Sequence, residues 1–347
     1  MNEPRRTAGG HAPLIQRLAA LLLGAAILAV LWWRIDWSEL GRIIGEARPA
    51  LCVVALALFV PQVAVMAWRW QLIGATARPL RFWEACRMVV AGSSLNVVLP
   101  SKLGDMCKGL MLGGEAAGGL GLAGLDKLMD TLGLAAVLVV AGFFAVPAEA
   151  WVLAFWLATI VGLIGLVVLL HRAQPIDPLP QRKPLAVLAR ALNAAIEVRH
   201  RRAAWAGSLG LSVFLWLLHI LQIYVFYRAV AGNDPAPLAA VFVRVPVAIF
   251  IGLVPVTMAG IGTRDGALFA LLAAWEPTAV IALVGLFCIL RYVVMAIAGL
   301  PVIISLGPTL THALRSAPAG LDGCTARVAQ EHRPEGPMTK PKQGTRP

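Results

Sequence analysis

The feature that most restricts this chain is a series of long runs almost free of charge. Residues 18–33, 49–68, 123–146, 151–170, 203–227 and 278–306 each approach or exceed the roughly 20 residues that a helix needs to cross about 30 Å of hydrocarbon. Composition agrees with that reading. Of 347 residues, 59% are hydrophobic and 14% charged, where soluble domains carry about 25% charge. Eighteen acidic and 30 basic residues cannot supply the polar skin of a soluble fold this long. A soluble enzyme and a disordered chain are both excluded. The expected fold is all-α, a polytopic integral membrane protein.

The formal net charge is +12, yet it does not point to nucleic acid. No RNA- or DNA-binding signature accompanies it. The basic residues instead cluster between apolar runs, as the positive-inside rule requires. Segment 172–202 carries Arg172, Arg182, Lys183, Arg190, Arg199, Arg201 and Arg202 against Asp177 and Glu197. The tail after 311 carries Arg315, Arg327, Arg333, Lys340, Lys342 and Arg346, whereas the loops at 34–48 and 228–236 are balanced. The N-terminus, the 172–202 loop and the tail are therefore expected in the cytoplasm. The first run follows Arg5, Arg6 and Arg17 much as a signal peptide would. Trp32, Trp33 and Trp37 stand where a small-residue cleavage site belongs, so it reads as a retained span. Cys52, Cys86, Cys107, Cys288 and Cys324 are odd in number and contain no CxxC. Neither a disulfide framework nor a zinc site is expected.

Orientation fixes parity. Four crossings must separate the N-terminus from the 172–202 loop, and the first four runs supply them. The apolar stretch 82–112 must then enter and leave on one side of the membrane, and 237–275 must do the same. Both are interrupted. The first contains Asn96, Leu99-Pro100, Lys102 and Gly104-Asp105; the second contains Val254-Pro255, Thr257, Gly260, Gly262 and Arg264-Asp265-Gly266. Proline breaks a helix and glycine permits backbone that helices do not use. Such backbone must be buried in protein or line a wet cavity. The expectation is about six full transmembrane helices plus two Pro/Gly-broken re-entrant hairpins in inverted-repeat arrangement, a pattern that marks transporter sites. The alternative is eight or more full spans, with ordinary Pro-kinked helices whose charges reach the interface.

A charge at mid-bilayer costs about 2.5–3.5 kcal/mol on insertion scales. Nevertheless Asp126, Lys127 and Asp130 open one run, and His219, Arg244 and Arg291 are embedded in others. Asp126 and Asp130 share a helix face. Lys102, Asp105 and Lys108 share another if that segment is helical, and the simplest arrangement pairs the two faces. Two readings remain open. In one, these groups are a buried ion-pair network that fixes hairpin to helix. In the other, Lys102, Lys108, Arg264 and Arg291 line a cavity for a lipid phosphate, with Asp105, Asp130 and Asp265 as counter-ions or proton carriers. Helix N-termini after Pro100 and Gly262 would add positive dipole ends. His219 reads as a packing residue. The GxGxxG letters at Gly119, Gly121 and Gly124 follow no strand, so no dinucleotide is expected. With no nucleophile or metal constellation, the sequence implies neither cofactor nor metal.

Three motifs in order carry a resemblance. They are Asn96, Leu99-Pro100, Lys102, Gly104-Asp105 and Lys108; then Asp126-Lys127 and Asp130; then Pro255, Thr257, Gly260, Gly262 and Arg264-Asp265-Gly266. In these the chain resembles the lysylphosphatidylglycerol synthase/flippase transmembrane family, over about residues 15–308. It departs from the family pattern at several positions. Lys102, Lys108 and Lys127 stand where Arg is usual, Asp126 and Asp265 where Glu is, and Thr257 where Ser is. Lysine keeps the charge and loses the bidentate fork, so a phosphate clamp here should be looser or differently aimed.

The resemblance implies movement of a polar lipid between leaflets of the bacterial inner membrane. The lipid would be a phospholipid, an aminoacyl-phospholipid, or a polyprenyl- or hopanoid-linked one. The motif residues, with Arg291 beside them, would form the head-group path. Enzyme activity is not expected, because the aminoacyl-transfer chemistry of some relatives lives in a separate soluble domain. The domain reading is a cytoplasmic segment at 1–13, a flippase-like transmembrane domain at 14–308 and a disordered tail at 309–347. A membrane lipid is the expected partner. The competing reading is a non-transporting subunit that scaffolds a separate lipid- or glycan-modifying enzyme.

Overall fold

The computed structural model of the chain describes residues 12–98, 103–113, 116–143, 150–180, 183–232, 237–253, 257 and 260–316. Among them the regular structure is entirely helical. α1 (Ala12–Trp33) bends through 86° into α2 (Trp37–Glu46). The Asp36 carboxylate caps α2 by accepting from the N–H groups of Ser38 and Glu39, at 2.9 and 3.4 Å. α2 buries Leu40 and Ile43 and exposes Trp37 and Ile44, which suits a helix lying along a membrane surface. α3 (Pro49–Ala57) and α4 (Phe59–Gly74) form one apolar stretch of 26 residues with a break at Leu58. Pro61 explains the break, since its ring meets the carbonyl four residues back and it has no N–H to give.

The remaining helices are α5 (Phe82–Val98), α6 (Leu103–Leu110), α7 (Ala116–Gly142), α8 (Ala150–Arg172), α9 (Lys183–His200), α10 (Arg202–Val230), α11 (Leu238–Gly252), α12 (Thr263–Leu272) and α13 (Thr278–Ser316). By length and apolarity α3–α4, α10 and α13 can each cross a membrane, and α1–α2 makes a fourth if the bent pair is one span. α7 is 27 residues long but carries Asp126, Lys127 and Asp130 at its centre. This differs from the sequence reading, which put those charges at the mouth of a helix beginning at 123. The glycine-rich stretch before them is helix because Gly109 and Gly119 let α6 and α7 cross backbone to backbone. A Cβ on either glycine would run into the carbonyl of the other. Gly119→Val should therefore overpack the crossing and cost about 1–3 kcal/mol. The effect would register as a lower Tm of the detergent-solubilised protein; an unchanged Tm would mean that the crossing has slack.

Two boundaries also move. The basic loop at 172–202 contains α9, whose Ala189, Ile196 and Val198 are buried as it packs on α7. Helix α13 runs past 308, where the tail was expected to begin, as far as Ser316. The tail from 317 lies outside the described residues.

Both expected interruptions fall between helices, and in each pair the chain doubles back. In the first, a Cβ on Gly104 would collide with the backbone of Asn96 and Gly92. The Asn96 side-chain oxygen accepts from the Asp105 N–H at 3.1 Å. At the mouth of this pair Arg78 Nε donates to the Leu112 carbonyl at 2.7 Å. In the second, Gly252 lies against Gly260 and Arg264. Gly260 and Gly262 hold φ of +73° and +91°, backbone that glycine adopts without strain. The Arg244 guanidinium closes that mouth, 3.6 Å above the Trp275 ring.

The two halves correspond. Helices α4, α5, α6 and α7 map in order onto α10, α11, α12 and α13. α4 packs on α5 as α10 does on α11; α6 packs on α7 as α12 does on α13; α5 crosses to α13 as α11 crosses to α7. At the centre Gln62 Nε2 donates to Gln222 Oε1 at 3.0 Å. Each glutamine also reaches a carbonyl of the opposite half: Leu218 at 3.3 Å from Gln62, and Ala55 at 2.7 Å from Gln222. Gln62 and Gln222, Gly92 and Gly252, and Asp105 and Asp265 are all separated by the same distance along the chain. α4 and α10 run in opposite directions, because Gln62 meets Gln222 while Arg69 meets Ser212. One hydrophobic cluster lies among α4–α7 and α9; the other joins α2 and α10–α13 to Leu134, Val137 and Leu138 of α7.

Candidate functional site

A cavity of about 170 Å³ lies between the two doubled-back pairs. Phe59, Gln62, Val63 and Met66 of α4 form one wall; Arg291, Tyr292 and Met295 of α13 form another. Ser93, Asn96, Asp105, Lys127, Asp130, Trp216, His219 and Arg264 also line it, with apolar residues of α10 and α11, Leu253 and Cys288 filling the rest. Six of the predicted residues therefore meet there: Asn96, Asp105, Lys127, Asp130, Arg264 and Arg291. Lys108 and Asp126 are buried behind the wall. Thr257 and Gly262 press on Gly24 of α1, and Gly260 on Gly252. Asp265 borders a separate void of about 20 Å³ beside α1. Gly104 belongs to the α5–α6 contact. Pro100 and Lys102 lie outside the described residues.

The wall is organised by Arg69, which the sequence reading missed. Its Nε and Nη2 donate to Asp126 Oδ1 and Oδ2 at 2.8 and 3.3 Å. Its Nη1 donates to Asp130 Oδ1 at 3.0 Å and to Ser212 Oγ at 2.9 Å. Lys108 closes on the other side of Asp126. Lys127 bridges Asp130 at 3.2 Å and Asp105 at 3.5 Å. The expected pairing of acidic and basic faces is thus present as Lys108–Asp126 and Lys127–Asp105, with Arg69 added from α4. Three acids face three bases and their charges cancel. A buried cluster of this kind persists only if its remaining polar atoms are satisfied. Ser212 Oγ donates to the Ser208 carbonyl at 2.8 Å, and Trp216 Nε1 to the Asp130 carbonyl at 2.7 Å.

Arg264 is neutralised as well. Its Nη2 donates to Asp265 Oδ1 at 2.9 Å, while Asp265 Oδ2 accepts from the Gly262 N–H at 2.9 Å and pins the start of α12. Arg291 is different. Its Nη2 donates to Gln62 Oε1 at 3.2 Å, and its guanidinium lies 5.7 Å from the centre of the Phe59 ring. Its buried Nε has no hydrogen-bond partner, and no carboxylate lies within ion-pair reach among the described residues. His219, read as packing, borders the same cavity; its Nδ1–H donates to the Leu215 carbonyl at 2.9 Å and its ring lies against Trp216. Among the described residues, Arg291 is thus a cavity cation without a carboxylate counter-ion. A buried charge in that state is stabilised by an incoming anion.

Apolar spans, two broken helix pairs and a charged cavity enclosed between them define an integral membrane protein with a polar site inside its helical bundle. The chain belongs to the family described as the lysylphosphatidylglycerol synthase TM region, whose pattern matches residues 17–299. That family is a membrane domain with lipid-related functions. No curated protein matches the sequence.

Proposed function

We propose that the protein moves a polar lipid between membrane leaflets, the head group passing through the cavity while the acyl chains stay in the bilayer. Arg291 carries this reading: a cation on a cavity wall with no carboxylate partner among the described residues, opposite acids that are already matched. It suits the phosphate of a phospholipid, an aminoacyl-phospholipid or a polyprenyl- or hopanoid-linked lipid, with Asp105 and Asp130 as acceptors for the rest of the head group. The proposal includes six full crossings, two re-entrant hairpins and both termini in the cytoplasm of the bacterial inner membrane. The basic segments between the apolar runs support that orientation, and the antiparallel correspondence of the halves supports the hairpins. The role is transport, with any lipid- or glycan-modifying enzyme a separate partner.

The test uses proteoliposomes holding a fluorescent phospholipid and a membrane-impermeant quencher. The inner-leaflet label is expected to become accessible faster than in empty vesicles. Asp105→Asn removes a charge at the wall without changing its volume, and should slow that movement about tenfold, as loss of a charge-assisted contact of about 1.5 kcal/mol predicts. Folded protein that leaves the rate at the empty-vesicle value would favour the scaffolding reading instead.

A further inference from the structure

The correspondence between the halves fails in one place. α7 packs tightly on α10, where a Cβ on Gly133 would lie 2.6 Å from the Ser212 Cβ. Trp216 and Arg69 bind the same seam through Asp130 and Ser212. The equivalent seam in the other half is between α13 and α4. Those helices do not pack; they stand on opposite sides of the cavity and are bridged by the Arg291–Gln62 hydrogen bond.

Two halves built from the same elements can take either of two arrangements. One closes α7 on α10 and parts α4 from α13, as here. The other exchanges the roles. The exchange slides one half on the other and must re-form the apolar contacts that Leu134, Val137 and Leu138 of α7 make with the core around α10–α13. The Gln62–Gln222 pair joins the central helices α4 and α10, which are each other's equivalents, and serves both arrangements.

We propose that the protein populates this exchanged state, in which α4 closes on α13 and α7 separates from α10, and that passage between the states presents the site to opposite membrane faces in turn. The inference rests on the transport reading and gives it a mechanism. An anion at Arg291 holds α4 and α13 apart and so favours the present state; closing them removes the space that the anion occupies. A ligand shifts such an equilibrium only through its differential affinity for the two states.

The experiment keeps Cys52 and adds Val293→Cys, the positions 160 residues from Ser212 and Gly133 in the other half, in a protein whose other cysteines are replaced. In membranes an oxidant should cross-link the pair in a fraction of molecules. Adding Gly133→Ala, whose methyl group wedges α7 from α10, should raise that fraction several-fold. Spin labels at 52 and 293, with Gly133 intact, should show two distances and so decide the matter even if the wedge variant fails to fold. No cross-link together with a single distance would overturn the inference. So would a cross-linked protein that moves lipid at the full rate, and that result would leave the transport reading standing. Two distances with no lipid movement in any variant would sink the transport reading and keep the exchange.

Discussion

Arg69→Ala is expected to yield little or no folded protein. The substitution removes the donor shared by buried Asp126 and half-buried Asp130, and also the partner of Ser212. Breaking a buried ion pair from one side costs about 3–5 kcal/mol, because the remaining charge stays desolvated. Whole domains have only about 5–15 kcal/mol in hand. The measurement is the monodisperse yield and Tm of detergent-solubilised protein. Arg69→Lys keeps the charge without the fork that grips both Asp126 oxygens, so it should fall between wild type and alanine. Adding Asp130→Asn to Arg69→Ala should recover part of the loss by removing one stranded charge, since Lys108 still neutralises Asp126 and Lys127 still neutralises Asp105. An alanine variant with the wild-type Tm would show that the cluster does not hold this wall together.

Arg291→Ala is expected to behave in the opposite way. No carboxylate among the described residues is orphaned by removing it, and only Gln62, Cys288 and the Phe59 ring lose a contact. Yield and Tm should stay close to wild type, while leaflet movement falls at least tenfold, the equivalent of about 1.4 kcal/mol or more in anion stabilisation. Arg291→Lys should restore part of the rate, since a point charge still attracts the anion. If alanine at 291 lowers Tm as far as alanine at 69, the residue is structural. If movement continues at the full rate, the head group does not use it.

What the sequence revealed and what it concealed follow from the range of each force. The apolar runs were legible because hydrocarbon imposes one length on every span. Both interruptions were legible because Pro and Gly act on the backbone directly. Arg69 was not: it stands between Trp68 and Trp70 at the end of an apolar run, and reads as an interfacial anchor until Asp126 and Asp130 arrive from α7. α9 was hidden by its charges, which face outward while its apolar residues pack on α7. Thr257, Gly260 and Gly262 looked like approach points for a ligand. Thr257 and Gly262 are instead approached by Gly24 of another helix, and Gly260 by Gly252, and small residues serve either purpose. The pairing of Gln62 with Gln222 needed the folded chain, since neither residue disturbs the local hydropathy.

The contact at Gly24 bears on how the molecule is made. A Cβ there would lie 2.9 Å from the Ile261 carbonyl, and one on Gly262 would lie 2.9 Å from the carbonyl of Gly24. The helix that looks like an export signal therefore ends as the shield over irregular backbone more than 200 residues further along the chain. Clipping it after insertion would leave those peptide groups facing acyl chains with nothing to bond. Replacing it with an unrelated signal anchor of equal greasiness should still deliver the chain to the bilayer, and yet leave the backbone at Ile261 and Gly262 without a place to dock.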